Sequence, residues 1–256
     1  MLAIDYSDDE LDAIAELFNR LDLARASLRE LPADPIERAK IRAASESAIR
    51  SLVARHAIAL NGTAAFPRVR FLDPHATILG AFVGADTTAS VKIEHPARVE
   101  VRALFARSDV VVEQEALPGA AIKRMIARPR AEAEAVLLRD LPLVGSDGPS
   151  GRAPFEVTLG LLAATEEALA EGRDPPTGLP EPALDVLYAR TASATVIVRR
   201  RVGEIVLAER VSWLSAGTLG TWRVEPVGTQ PSVTARLVPT QADAMREAVL
   251  AAWSAF

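Results

Sequence analysis

The chain has no cysteine, which excludes a disulfide framework, a thiol nucleophile and a thiolate metal site. Lysine is nearly missing as well: it stands only at positions 40, 92 and 123, so the 29 Lys and Arg side chains are almost all arginine. That skew reads as codon bias toward GC-rich triplets, not as a set of bidentate recognition sites. Positive charge is not in excess. The formal net charge is -5 with a pI near 5.4, whereas general nucleic-acid affinity needs a basic surface that displaces phosphate counterions. No run of about 18 uncharged apolar residues is present to form a membrane-spanning helix. The opening Met1-Leu2-Ala3-Ile4-Asp5-Tyr6 lacks the positive flank and apolar core of a secretory signal. The expectation is a cytoplasmic protein with neither a nucleic-acid partner nor membrane insertion. Aromatic residues are only 5% of the chain, so each tryptophan has to be weighed as core or as contact.

What is present suits a globular protein. Hydrophobic residues make up 49% and charged residues 25% of 256 positions, enough for one large domain or two of about 100–150 residues. Ser7 and Glu10 have capping-box spacing, and Leu11, Ile14, Leu17, Phe18 and Leu21 give the following helix an apolar stripe that ends before Pro32. Asp34-Pro35 opens a second helix, with proline where a missing N–H is harmless and Glu37 placed to reach back. Ile41, Ala44, Ala48, Ile49, Leu52, Val53 and His56 form its inward face, and Asn61-Gly62 is its expected stop. Asn61-Gly62-Thr63 also matches a glycosylation sequon, which in a cytosolic chain is read as a turn.

Strands are expected at 77–83, 90–95, 98–107 and 110–115, separated by Gly84-Ala85-Asp86, Pro96 and Ser108-Asp109. A helix from about Pro118, burying Ile122, Met125 and Ile126, closes this meander, and 131–138 gives another short helix. Gly145-Ser146-Asp147-Gly148-Pro149-Ser150-Gly151 breaks all periodicity and divides the chain into halves 1–144 and 145–256. A helix then starts near Pro154, aligning Phe155, Leu159, Leu162 and Leu169, with Gly172 beyond its end; 182–188 starts one more. Strands at 195–201, 204–213, 220–226 and 232–238 make a second meander. It runs into a helix capped by Thr240, with Asp243 in its first turn and Met245, Ala248, Val249, Ala252, Trp253 and Phe256 on one face. Residues 34–128 and 154–256 thus share one order. The reading is an α+β fold of two antiparallel strand meanders flanked by helices, with an internal pseudo-two-fold repeat of layout in one compact unit.

The chemical inventory is sparse. His56, His75 and His95 are scattered, and none has a second ligand at i+2, i+3 or i+4, so neither a metal nor a cofactor is expected. Asp73-Pro74-His75 pairs an acid with a base, but proline makes it first a turn. Glu113 and Glu115 lie two apart on a strand and share a face, as catalytic carboxylates would; with Val110 and Val112 opposite, that face is expected to meet solvent. The glycine-rich 145–151 lacks the lysine of a phosphate loop. Arg199-Arg200-Arg201 ends a strand, where alternation sends its charges to both faces of a solvated hairpin tip. No catalytic residue is assigned. Trp213 and Leu214 are adjacent on a strand and point to opposite faces; with Trp222 they are the candidate partner-binding residues, the competing placement being the core.

A short first helix and three stretches carry a family likeness: Asp34-Pro35-Ile36-Glu37-Arg38-Ala39, the 98–115 hairpin running into Leu117-Pro118-Gly119-Ala120-Ala121, and the ending Ser232-Val233-Thr234-Ala235-Arg236-Leu237-Val238-Pro239-Thr240-Gln241-Ala242-Asp243-Ala244-Met245. Together they resemble the EspG family, the cytosolic chaperones of type VII (ESX) secretion in actinobacteria. The segment 212–220 departs from that pattern by lacking a charged turn after Trp213. The resemblance implies a quasi-two-fold α+β fold that binds secreted helical heterodimers of the PE/PPE type and keeps them soluble. The rival readings are an enzyme using Asp73, Glu113 or Glu115, favoured if these converge in a pocket, and a structural subunit whose exposed strands build assemblies.

Overall fold

In the computed structural model, residues 1–20, 22–23, 34–63, 66–143, 152–227 and 234–254 are described. They form an α+β fold of antiparallel strand meanders flanked by helices, in two units: Met1–Thr88 with Arg102–Ala133, and Ala89–Val101 with Glu134–Phe256. Strands β4 (Thr87–His95) and β5 (Arg98–Arg107) contribute residues to both.

The first unit opens with β1 (Leu2–Ser7), whose Leu2, Ile4 and Tyr6 alternate with more exposed neighbours, and passes straight into α1 (Asp8–Leu17). The expected capping box makes that join. Glu10 N–H donates to Ser7 Oγ at 3.1 Å and Ser7 N–H donates to Glu10 Oε2 at 3.0 Å, satisfying two amides that the helix leaves unpaired. Leu11 and Ile14 are buried, with Leu17 and Phe18 packed beside them; Leu21 and Pro32 lie outside the described residues. In α2 (Pro35–Ala54) Asp34 caps the start by accepting from Ile36 N–H at 2.9 Å. Glu37 does not reach back but takes Lys40 at 2.7 Å. Ala48 and Leu52 are buried, whereas Val53 and His56 are exposed. Asn61-Gly62 is not the helix stop. The chain leaves the helix at Ala54, His56 takes a φ of 56°, and both Asn61 and Gly62 belong to β2 (Ile58–Thr63), paired with β3 (Phe66–Phe71).

Two elements differ in kind from the expectation. Residues 77–83 are not a strand but the body of α3 (His75–Gly84), in which His75, Ile78, Leu79, Ala81, Phe82 and Val83 are all buried. A helix enclosed on nearly every side has no polar stripe, so periodicity does not separate it from a buried strand. After β6 (Val110–Ala116), the expected helix from Pro118 is instead strand β7 (Ile122–Pro129). It lies between β6 and β1, with Ile126 opposite both Glu113 and Ala3. Met125 and Ile126, adjacent and therefore on opposite faces, are both buried, which removes the alternation a strand usually shows. Ile122 stays 37% exposed. The strand order in this unit is β1-β7-β6-β5, over a core that includes Tyr6, Ile14, Leu52, Phe82, Phe105 and Met125.

Helix α4 (Ala133–Leu138), expected over 131–138, follows a 3-10 turn at Arg130–Glu132, and all of it but Ala133 belongs to the second unit. The glycine-rich 145–151 lies outside the described residues. Phe155 does not begin a helix; it opens β8 (Phe155–Thr158), which pairs with the edge of β12 (Thr234–Thr240). Helix α5 (Leu159–Ala170) starts only after Thr158, whose Oγ1 accepts from Leu161 N–H at 3.2 Å. Then come α6 (Glu181–Tyr188), β9 (Ala192–Val202), β10 (Ile205–Ser215), β11 (Thr221–Val227), β12 and α7 (Ala242–Ser254). Thr240 is not the cap of α7: it is the last residue of β12, and its hydroxyl donates to Val238 O at 2.9 Å. Met245, Val249, Ala252 and Trp253 bury the expected face, while Phe256 lies outside the described residues. The strand order is β4-β9-β10-β11-β12-β8.

Candidate partner-binding groove

The three side chains singled out as contacts are in the interior. Trp213 is 1%, Leu214 4% and Trp222 0% exposed, so none presents an anchor at the surface. The cause is local pairing. Residues 213–215 are bonded to β9 on one edge and to 221–223 on the other, and both faces of this stretch are covered. Trp213 Nε1 donates to Pro142 O at 3.2 Å and Trp222 Nε1 to Leu219 O at 2.9 Å, which satisfies both indole N–H groups. Leu214 and Trp222 share a cluster with Val157, Val186 and Leu237, and Phe155 lies 5.3 Å from the Trp222 ring.

The carboxylates do not assemble a catalytic pair. Glu113 is fully buried, not solvent-facing, and accepts from Arg128 Nε at 3.0 Å; Arg128 also reaches Glu132 at 3.4 Å. A buried carboxylate needs such a partner, and Leu104 and Ile126 stand opposite Glu113 on either side. Glu115 lies across from Arg102 and Arg124, and Asp73 is exposed in the turn before α3. His75 is buried, with Tyr6 Oη 2.6 Å from its Nδ1. Arg55 stands over the Tyr6 ring at 5.5 Å and holds Glu10 at 2.9 Å. Burial pushes the imidazole below its ordinary pKa and the Tyr6 phenol above its own. His56 is exposed and His95 lies 3.8 Å from Glu100. Among the described residues no three His, Asp or Glu side chains gather as metal ligands.

The second unit carries a surface feature of another kind. A groove of about 750 Å³ is lined by Glu94, Val99, Leu169, Arg173, Tyr188 and Arg190, among others. Val99 follows the β4–β5 turn at Pro96 and is 57% exposed; Tyr188 ends α6 and is 62% exposed. Val186 and Leu187, both buried, fix the helix turn that presents the tyrosine. Gly172, at a φ of 67°, terminates α5, and Arg173 N–H bonds back to Ala168 O at 2.8 Å, an arrangement that only a residue tolerant of the left-handed region completes cheaply. Glu94 is held by Lys92 at 2.5 Å and by Ser193 Oγ at 3.1 Å. The Lys92 bond foremost keeps its carboxyl below the usual carboxylate range, against the opposing effect of burial, with the Ser193 bond and the charges of Lys92 and Arg190 adding to it. Exposed apolar side chains beside an ionised lip suit non-covalent recognition of a protein surface. Sequence reading missed the groove because its wall residues come from 94–99, 169–174 and 187–190. The available signal was Val99 and Val101, apolar residues between charges that turn outward at 57% and 54% exposure.

No protein-family model matches the chain, and no curated protein matches it. Its structure is similar to that of the Mycobacterium tuberculosis type VII secretion system chaperone EspG5, solved in complex with a PE25-PPE41 dimer. The TM-score is 0.54 over 99% of this chain and 96% of that one, at 10% identity. At that identity the likeness is one of fold, and it is the EspG-like fold that the terminal strand, turn and helix led one to expect. Among the described residues no helix is long and apolar enough to cross a membrane.

Proposed function

We propose that the protein is a non-enzymatic, cytoplasmic chaperone of the type VII secretion kind, which holds a secreted helical partner of the PE/PPE type until delivery. The observation that carries this reading is the end-to-end correspondence with EspG5, which was solved with a PE25-PPE41 dimer bound. The groove beside Val99 and Tyr188 supports it physically, because such a partner is recognised by a shaped, partly apolar surface and requires no reacting group. The carboxylate enzyme is the less supported reading, since Glu113 is buried against Arg128 and Asp73 is exposed in the turn before α3. Co-expression with the products of adjacent genes, followed by affinity capture of the chain, tests the proposal. A helical pair that stays soluble only in its company is the expected result; a folded chain that retains none of them overturns it.

A further inference from the structure

We propose that the free edge of β10 is a second docking site, which takes an extended segment of another protein by strand addition, that segment carrying acidic side chains on one face and apolar ones on the other. This inference does not rest on the chaperone reading. On one side β10 is bonded to β9 along its whole length, from Ile205 opposite Val202 to Ser215 opposite Ala192. On the other side β11 meets only Trp213, Leu214 and Ser215, and its remaining residues are followed by β12 alone. Among the described residues, 205–212 therefore has no ladder partner on that edge. Exposed edges are normally blunted by charged side chains, above all lysine, by proline or by brevity; this stretch has neither lysine nor proline, has ample length, and carries charge only at Glu209 and Arg210. Ile205, Val206 and Leu207 are 64%, 47% and 41% exposed. Where β10 and β11 part, a small cavity of about 90 Å³ opens between Leu159, Arg210, Ser212, Val224, Pro226 and Ala235, positioned to receive a side chain of an added strand.

Charge selects the occupant. Period-two alternation puts Val206, Ala208 and Arg210 on one face, and the register adds Arg201 and Arg199 across from the first two. None of these three arginines forms an ion pair among the described residues: Arg210 Nε donates to Ser212 Oγ, Arg199 Nη1 to Ser90 Oγ and Arg201 Nε to Gly203 O. The strand positions of that face hold three cations and no carboxylate. The other face carries Val202, Ile205 and Leu207 outward from buried Val198 and Val211, with one cation and one carboxylate, Arg200 and Glu209, among them. A second copy pairing antiparallel on the same edge would keep each face on its own side and so bring a duplicate set of arginines together. A foreign strand with acids on that face neutralises the set instead.

Two synthetic peptides of about ten residues, one alternating valine with glutamate and one alternating valine with lysine, serve as probes of the full chain. The acidic peptide is expected to bind at least about tenfold more tightly than the basic one, weaken with salt, and slow amide exchange only within 205–212. The triple variant R199E/R201E/R210E is expected to reverse the preference, and R199Q/R201Q/R210Q to abolish it, both with an unchanged urea midpoint. Equal or absent binding of the two peptides overturns the proposal, as does protection elsewhere in the chain. Concentration-dependent self-association that slows exchange within 205–212 would assign the edge to a second copy and equally overturn it.

Discussion

His75 is a residue whose ionisation the fold opposes. It is buried against Tyr6, whose Oη lies 2.6 Å from its Nδ1, with Arg55 and Glu10 as the charged groups facing it. Burial foremost, and then the Arg55 charge, lowers its pKa, and only Glu10 opposes that shift. A base whose folded pKa is depressed binds its proton more readily in the unfolded chain. Stability is then intact above the unfolded value of about 6.5 and falls as pH drops from there toward the folded pKa. Urea midpoints measured at about pH 7.5 and 5.5 should fall in the native chain and fall less in His75→Gln. Equal falls in both would show that His75 is not held neutral. Asp5 and Glu94, whose carboxyl pKa values are lowered, lose their contribution only at more acidic pH and leave this window clear.

At the scale of elements, α3 separates what the sequence reveals from what it hides. Gly80 lies inside this helix, with its carbonyl accepting from Arg107 Nη1 at 2.9 Å; a Cβ added there would meet only that nitrogen, at 3.8 Å. Gly80→Ala should therefore raise stability by about 0.5–1 kcal/mol, the usual gain at an unstrained helical glycine, read as a higher urea midpoint. A loss would mean that 75–84 is not helical or has no room. Gly84→Ala is a poor substitute, since its Cβ would come within 2.6 Å of the Arg107 side chain. Elements with local signals were legible: Ser7 with Glu10, Asp34 with Pro35, Ser108-Asp109 at a turn where Ser108 takes a φ of 50°. Elements defined by what surrounds them were not. The helix α3 and the strand β7 are apolar on more than one side, and β8 is too short for a pattern, so their identity depends on neighbours far along the chain. β1 did show alternation through Leu2, Ile4 and Tyr6, yet its six residues run directly into a helix cap that dominates the local reading.

For the molecule as a whole, the decisive contrast is between aromatics that hold the fold and aromatics that are free to bind. Composition offers few of either, and spacing alone does not sort them: Trp213 and Trp222 satisfy their indole N–H groups in the interior, while Tyr188 stands 62% exposed on the groove. If the groove receives the partner, Tyr188→Ala and Val99→Asp should each reduce the amount of helical partner captured per folded chain, with stability changed by no more than about 0.5 kcal/mol, as is usual for exposed positions. Trp222→Ala removes a fully buried side chain and should cost about 3–5 kcal/mol, lowering the yield of folded chain itself. The measurement is therefore paired: captured partner and urea midpoint on the same preparations. Capture lost with the midpoint unchanged places recognition in the groove. Capture that survives both exposed substitutions, in chains that still hold the partner, moves recognition to another surface and leaves Val99 and Tyr188 without a binding role.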